Sequence, residues 1–317
     1  MQLNILTQKS ALTALMLLVV ILVATTIRRA YAPFPIEIAD GPNNESASNL
    51  IVAALILFIG GFIVGKTAPR SVLHNSQCTL SIPLYGLLSC GIFVAANAPI
   101  AAIISVCFAL SLRLLLRSLH SAGEKDSVFF ASILLACIVP LYPPAIVLAA
   151  LLPLAIFILA LSMRQVMLMI VGYLLPLLAT SYIYWYMGHD IDYAVRSTLE
   201  ALSTPQIGAI TTTPYAAIAL IASIVIILIG GLFYAAIHTE KILRVVRRRR
   251  SLLLFVCAIL ISLTMLIFPA CDLTIFALIA APLATLLAFA LDVLPTNLSA
   301  IAYWLLLAIF VVHLFVG

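Results

Sequence analysis

Seven charged residues stand outside the long apolar runs, in pairings that chemistry can use. Glu37 and Asp40 lie three apart in "IEIADG", and Asp190 and Asp192 flank Ile191 in "GHDIDY". A pair of carboxylates at the edge of a membrane cavity can act as a general base or hold a divalent cation. Arg28 and Arg29 are adjacent, and Arg196 follows Asp192 by four residues. Guanidinium forks match the oxygens of a phosphate or pyrophosphate. The candidate catalytic groups are therefore Glu37, Asp40, Asp190 and Asp192, with Arg28, Arg29 and Arg196 as candidate contacts to a lipid phosphate. A plainer reading uses the same residues. The arginine pair can meet Glu37, Asp40 or lipid headgroups, and D-x-D also suits a solvated loop.

The elements that must position these residues are apolar. Of the 317 residues, 65% are hydrophobic and 9% charged. Soluble domains have about 45–50% and about 25%. So few charges cannot cover a water-facing surface, and a bilayer supplies the missing apolar solvent. Only helices and closed barrels satisfy the backbone in lipid. The apolar runs are continuous rather than alternating, which selects helices. Charged, proline and asparagine punctuation predicts spans at 11–27, 50–65, 80–96, 98–116, 128–142, 144–163, 166–187, 215–237, 251–268, 274–291 and 298–316. The expected fold is an all-α polytopic transmembrane helical bundle of about 11 spans (10–12), one integral membrane domain over residues 1–317. Tight turns are expected at "NAPI" (97–100) and at "YPPA" (142–145), where paired prolines stop one helix and start another. The 128–142 and 274–291 spans are short enough to be tilted or re-entrant.

The basic residues orient this bundle. With the N-terminus cytoplasmic, thirteen of the sixteen Lys and Arg residues fall on the cytoplasmic side, and only Arg28, Arg29 and Arg196 fall outside. The positive-inside rule selects that arrangement over its inverse. Segments 28–49 and 188–214 become outer, periplasmic loops, and 238–250 becomes a basic cytoplasmic loop ending in Arg247, Arg248, Arg249 and Arg250. Those four arginines read as a topology marker in contact with anionic headgroups, each favoured by about 1 kcal/mol. The loop has no interleaved aromatics, so nucleic acid is not expected as a partner. In 188–214, Ile191, Ala194, Val195, Thr198, Leu199 and Leu202 can share one helix face, which predicts an amphipathic helix on the outer surface.

Several further signals concern packing. Gly61-x-x-x-Gly65 is a close-packing face, and "YIYWYMG" (182–188) is an aromatic belt. Prolines 83, 140, 153, 176 and 282 fall in or near spans and mark kinks or broken helices. The six cysteines form no C-x-x-C pair and mostly sit in apolar runs as small hydrophobes. Arg113, Arg117, Asp272 and His313 lie near helix ends, so no acid is placed securely at mid-membrane. The first apolar run exceeds a signal-peptide h-region and reads as a retained helix. Walker A, H-E-x-x-H, G-x-S-x-G and G-x-G-x-x-G patterns do not occur.

The stretch from Asn97 to Ile156, "NAPIAAIISVCFALSLRLLLRSLHSAGEKDSVFFASILLACIVPLYPPAIVLAALLPLAI", resembles an uncharacterised family of multi-pass inner-membrane proteins of Bacteroidota-type bacteria. The shared features are an Asn-bearing hairpin, the leucine/arginine run Leu112 to Leu119, the Lys125–Asp126 element and the helical hairpin after it. "GYLLPLLATSYIYWY" (172–186) fits the same pattern loosely. The resemblance implies a multi-pass architecture in the bacterial inner membrane and brings no assigned activity.

Three functions follow as expectations. The leading one is a membrane scaffold or assembly component, with membrane lipids and other membrane proteins as partners. The alternatives are a polytopic enzyme acting on polyprenyl-phosphate sugars at the outer leaflet, and a transporter built on proline-broken helices. Whether the chain is an enzyme is left open. No cofactor is expected, and a divalent cation enters only under the enzyme alternative.

Overall fold

The computed structural model describes residues 11–31, 47–67, 79–89, 98–118, 126–190, 192–203, 229, 245–267 and 274–316. They form an all-α bundle. In chain order the helices are α1 (Ala11–Tyr31), α2 (Ala47–Thr67), α3 (Ser81–Leu88), α4 (Ala98–Arg117), α5 (Asp126–Ile138), a 3-10 segment (Pro143–Ala150), α6 (Leu151–Leu159), α7 (Met163–Tyr186), α8 (Tyr193–Ser203), α9 (Val245–Ile267), α10 (Ile275–Val293) and α11 (Thr296–Val316). Within these, Ser48–Lys66, Ala98–Arg117 and Met163–Tyr186 are long and apolar enough to cross a bilayer. The expected span at 215–237 lies outside the described residues, apart from the helical residue 229.

The core is built around α10. Ala277, Leu278, Ala280, Ala281, Ala284 and the run Leu286–Leu291 are all buried. Its neighbours are α9, α3, α4, α11 and α2. A helix apolar on every side belongs in the middle of a bundle. Beside it, α4 packs along α2 and α5, and α5 packs along α7. α1, α2 and α3 also form a tight group, in which α3 reaches α10 and α2 reaches α4.

Glycine makes that group possible. A side chain at Gly61 would run into Leu18 of α1, and one at Gly65 into Ile82 of α3. The Gly61-x-x-x-Gly65 face is thus shared between two neighbours. Gly86 of α3 receives Leu18 from the other side. Tyr85, fully buried, lies over Gly60 and hydrogen-bonds Ser105 of α4 at 2.8 Å between the hydroxyls. Such small-residue contacts let backbones approach closely, and packing drives helix association in lipid.

Two expected spans are shorter or more broken than a continuous helix. The 80–96 span contains α3, which has eight residues, and residues 90–97 lie outside the described set. The 144–163 span is split into the 3-10 segment and α6. Pro143 and Pro144 open it and remove two donors. Pro153 sits in the first turn of α6, where the missing N–H costs nothing. Ala160 ends α6 with φ of 50°, a left-handed conformation, and the chain turns at once into α7. There Gln165 Oε1 accepts from the Ser162 N–H at 2.9 Å and from its hydroxyl at 3.0 Å, capping the new helix. α5 is 13 residues long, as the short apolar run predicted.

Candidate functional site at the α7–α8 corner

Tyr182, Tyr184, Trp185 and Tyr186 crowd the last turn of α7. The helix stops at Gly188, whose φ of 91° an L side chain rarely adopts. The Gly188 N–H donates to Trp185 O and the His189 N–H to Tyr184 O, so two terminal carbonyls are satisfied. The chain reverses through Asp190, whose carbonyl accepts from Tyr193 N–H at 3.0 Å. This turn brings three rings together. His189 stacks on Tyr193 with centroids 4.2 Å apart and planes 14° apart, and Tyr184 meets Tyr193 edge-on at 5.2 Å. Tyr184 also lies 6.0 Å from His189.

Two of the predicted acids, Asp190 and Asp192, flank this cluster in the chain. Asp192 precedes the first turn of α8, its carbonyl accepting from the N–H groups of Val195 and Arg196. An acid there complements the positive helix end. Its carboxylate also pairs with Arg196 at 2.5 Å, both side chains more than half exposed. An exposed pair of this kind contributes about 0–1 kcal/mol. Asp190 is exposed on the turn. The structure therefore brings Asp190, Asp192 and Arg196 together, and gives Asp192 and Arg196 each other as partners.

The remaining candidates lie elsewhere. Glu37 and Asp40 fall outside the described residues. Arg28 and Arg29 belong to the last turn of α1, not to a loop, and cations at a helix C-terminus are favoured by its dipole. Arg28 is half-buried. α1 packs on α2 and α3, whereas α8 packs on α7 and the 3-10 segment. The arginine pair and the Asp190–Asp192 turn thus sit on elements with different neighbours. Arg247–Arg250 form the first turns of α9 rather than the end of a loop, and the Arg249 side chain is exposed. Four cations there oppose the helix dipole, with no acid in that turn to offset them.

A second feature is an apolar crevice of about 340 Å³ between α1 and α2. Leu22 forms its buried floor, and Val23, Ile27, Ile51 and Leu55 form half-exposed walls. The one hydroxyl lining it, on Thr26, donates to Leu22 O at 2.7 Å. Its volume falls in the range of about 300–1,000 Å³ of small-ligand sites, but its lining suits hydrocarbon and offers no group for chemistry. Rotation of about 100° per residue carries Arg28 to the far side of α1 from the Val19–Val23–Thr26 stripe.

Deeper in the bundle, the buried polar side chains among the described residues are serines and threonines, joined by the hydroxyls of Tyr85, Tyr142, Tyr173 and Tyr303. Most of the serines and threonines bond a carbonyl of their own helix, as Thr25, Ser111, Ser132 and Thr285 do. Thr285 donates to Pro282 O at 2.8 Å and Thr180 to Pro176 O at 2.9 Å, back-bonds one turn beyond the interior prolines of α10 and α7. Two features escaped the sequence reading. His189 was not singled out, although its position just past three alternating tyrosines pointed to ring contact. The Tyr85–Ser105 bond carries no sequence signal, because the partners lie 20 residues apart. Comparison with known proteins finds no matching family model, curated protein or solved structure.

Proposed function

We propose that this chain is a multi-pass inner-membrane scaffold or assembly component, crossing the bilayer about eleven times with its N-terminus in the cytoplasm. The observation that carries the reading is the contrast, among the described residues, between a tightly packed interior and an open flank. Among the described residues the interior is packed with apolar side chains, and most of its serine and threonine hydroxyls bond their own helix. On the flank, α7 keeps only 22% of its most apolar window buried, while α4 keeps 56%. Met163, Met167, Ile170, Leu174 and Leu178 form an exposed stripe down α7. Methionine-rich faces adapt to varied partners. The distribution of Lys and Arg supports the orientation, with Arg247–Arg250 at the cytoplasmic start of α9.

A photoreactive residue placed at Leu174 tests the reading in intact cells. A discrete protein adduct is expected. Adducts with lipid alone, from protein that purifies without companions, would remove the scaffold. The interrupted 3-10/α6 segment and the eight-residue α3 support a second reading, a transporter, because discontinuous helices serve substrate paths. That reading requires cysteines introduced along α6 to be labelled from both sides of the membrane in different states.

A further inference from the structure

We propose that α8 is an interfacial helix, lying along the bilayer surface with Val195 and Leu199 inserted at the boundary between headgroups and acyl chains. The inference rests on the membrane reading above and adds the partner of one surface, a lipid interface.

The sequence grouped the apolar residues of this helix on one face, but the structure divides them by size. Ala194, Ser197, Thr198, Ala201 and Leu202 are the less exposed positions, and α8 packs against α7 and the 3-10 segment. Mostly small residues thus face the bundle. Val195 and Leu199 are left 58% exposed each, one turn apart on the same side. Arg196, Glu200 and Ser203 occupy the next sector around the helix. Around its axis α8 therefore presents a bundle face, an apolar edge and a charged edge. An apolar edge beside a charged one is the layout of a helix lying in the membrane interface plane.

The depth of α8 follows from its neighbours. Tyr182, Trp185 and Tyr186 end α7, all more than half exposed, and aromatic rings of this kind settle at headgroup level. Only Met187 to Asp192 separate α7 from α8, and the His189–Tyr193 and Tyr184–Tyr193 contacts hold the start of α8 against that aromatic end. The apolar edge thus lies at the level of the aromatic belt that ends α7. The acids matter too. Asp190, Asp192 and Glu200 outnumber Arg196, so the contact is with the hydrocarbon boundary rather than with anionic headgroups. Beside them, the exposed His189 ring stacks on Tyr193 and lies edge-on to Tyr184, and the 3-10 segment brings no titratable group.

The test uses full-length protein in vesicles of phosphatidylcholine brominated near the headgroup end of the acyl chain. Trp185 and Trp304 are first replaced by phenylalanine. A single tryptophan is then introduced as Leu199→Trp, Glu200→Trp or Leu178→Trp. Leu199→Trp is expected to emit at shorter wavelength and lose intensity in the brominated vesicles, while Glu200→Trp keeps its intensity. Equal responses at 199 and 200, with Leu178→Trp quenched by deeply brominated lipid, would overturn the interfacial helix and leave the membrane bundle standing. No quenching at 178 by any brominated lipid would overturn both. Val195→Trp repeats the measurement should Leu199→Trp not fold, and shielding of both by a second copy, seen as a stable dimer, also overturns it.

Discussion

α4 and α7 are built from similarly apolar stretches of 20 and 24 residues, yet α4 lies inside the bundle and α7 along its flank. The difference is in the number of small residues set among the large ones, since α4 also buries Ile104, Phe108, Leu112, Leu115 and Leu116. The buried positions of α4 include Ala98, Ala101, Ala102, Ser105, Ala109 and Ser111. α7 buries only Met169, Gly172, Tyr173 and Pro176, and its other faces carry large aliphatic and aromatic groups. In water, hydrophobicity sorts inside from outside. In lipid both environments are apolar, so close approach decides, and small residues permit it. α7 touches the bundle where Gly172 meets α5.

That contact is the most effective place to break the comparison. A Cβ at Gly172 would meet the Ser132 hydroxyl and the backbone carbonyl of Phe129, and a carbonyl within a helix cannot move aside. Gly172→Ala is expected to destabilise the α5–α7 pair by about 1–3 kcal/mol, and Gly172→Leu by more. Thermal unfolding in detergent, followed by loss of the monodisperse peak, measures it. If Gly172→Ala matches the wild type, α7 is not held where the structure places it.

The next contrast compares leucines. Leu112 of α4 is 2% exposed and Leu178 of α7 is 66% exposed. Truncation of Leu112 leaves a cavity, which costs about 2–5 kcal/mol in soluble cores. In lipid the low end applies, because a separated helix also sits in hydrocarbon and only packing is lost. Leu178→Ala should change stability by no more than about 0.5 kcal/mol. A Leu178→Ala effect as large as that of Leu112→Ala would mean that a partner covers α7 during the measurement. Smaller again is Tyr85→Phe, which removes the hydrogen bond to Ser105 at a cost of about 1 kcal/mol. In the double variant with Ser105→Ala the two losses should not add, and strict additivity would show the bond to be without weight.

Much of the fold was legible in composition and punctuation. Continuous apolar runs gave helices at nearly every expected position, and the paired prolines at 143 and 144 marked the turn where α5 gives way to the 3-10 segment. The glycine face at 61 and 65 was legible because its spacing is local. The order of packing was not. Nothing in its apolar content distinguishes α10 as central from α11 as peripheral, since both look alike to lipid and only long-range contacts separate them. The charged candidates divide in the same way. The Asp192–Arg196 pair follows from spacing of four on a helix, whereas the ring cluster around His189 depends on a reversal at Gly188.

The smallest expected effect tests one such reversal. Ala160 holds φ of 50° at the end of α6, and the Leu161 N–H donates back to Ile156 O at 3.2 Å. A left-handed conformation costs a residue with a Cβ roughly 1–2 kcal/mol. Glycine adopts it without that cost but loses more freedom on folding, an offset of about 0.5–1 kcal/mol. Ala160→Gly should therefore be neutral or stabilise by up to about 1 kcal/mol, and Ala160→Val should destabilise by a similar amount, because branching adds crowding at the same φ. The opposite ranking, valine above glycine in thermal unfolding, would mean that α6 continues past Ala160 in a right-handed conformation. α6 and α7 would then join as one helix, and the flank position of α7 would lose its cause.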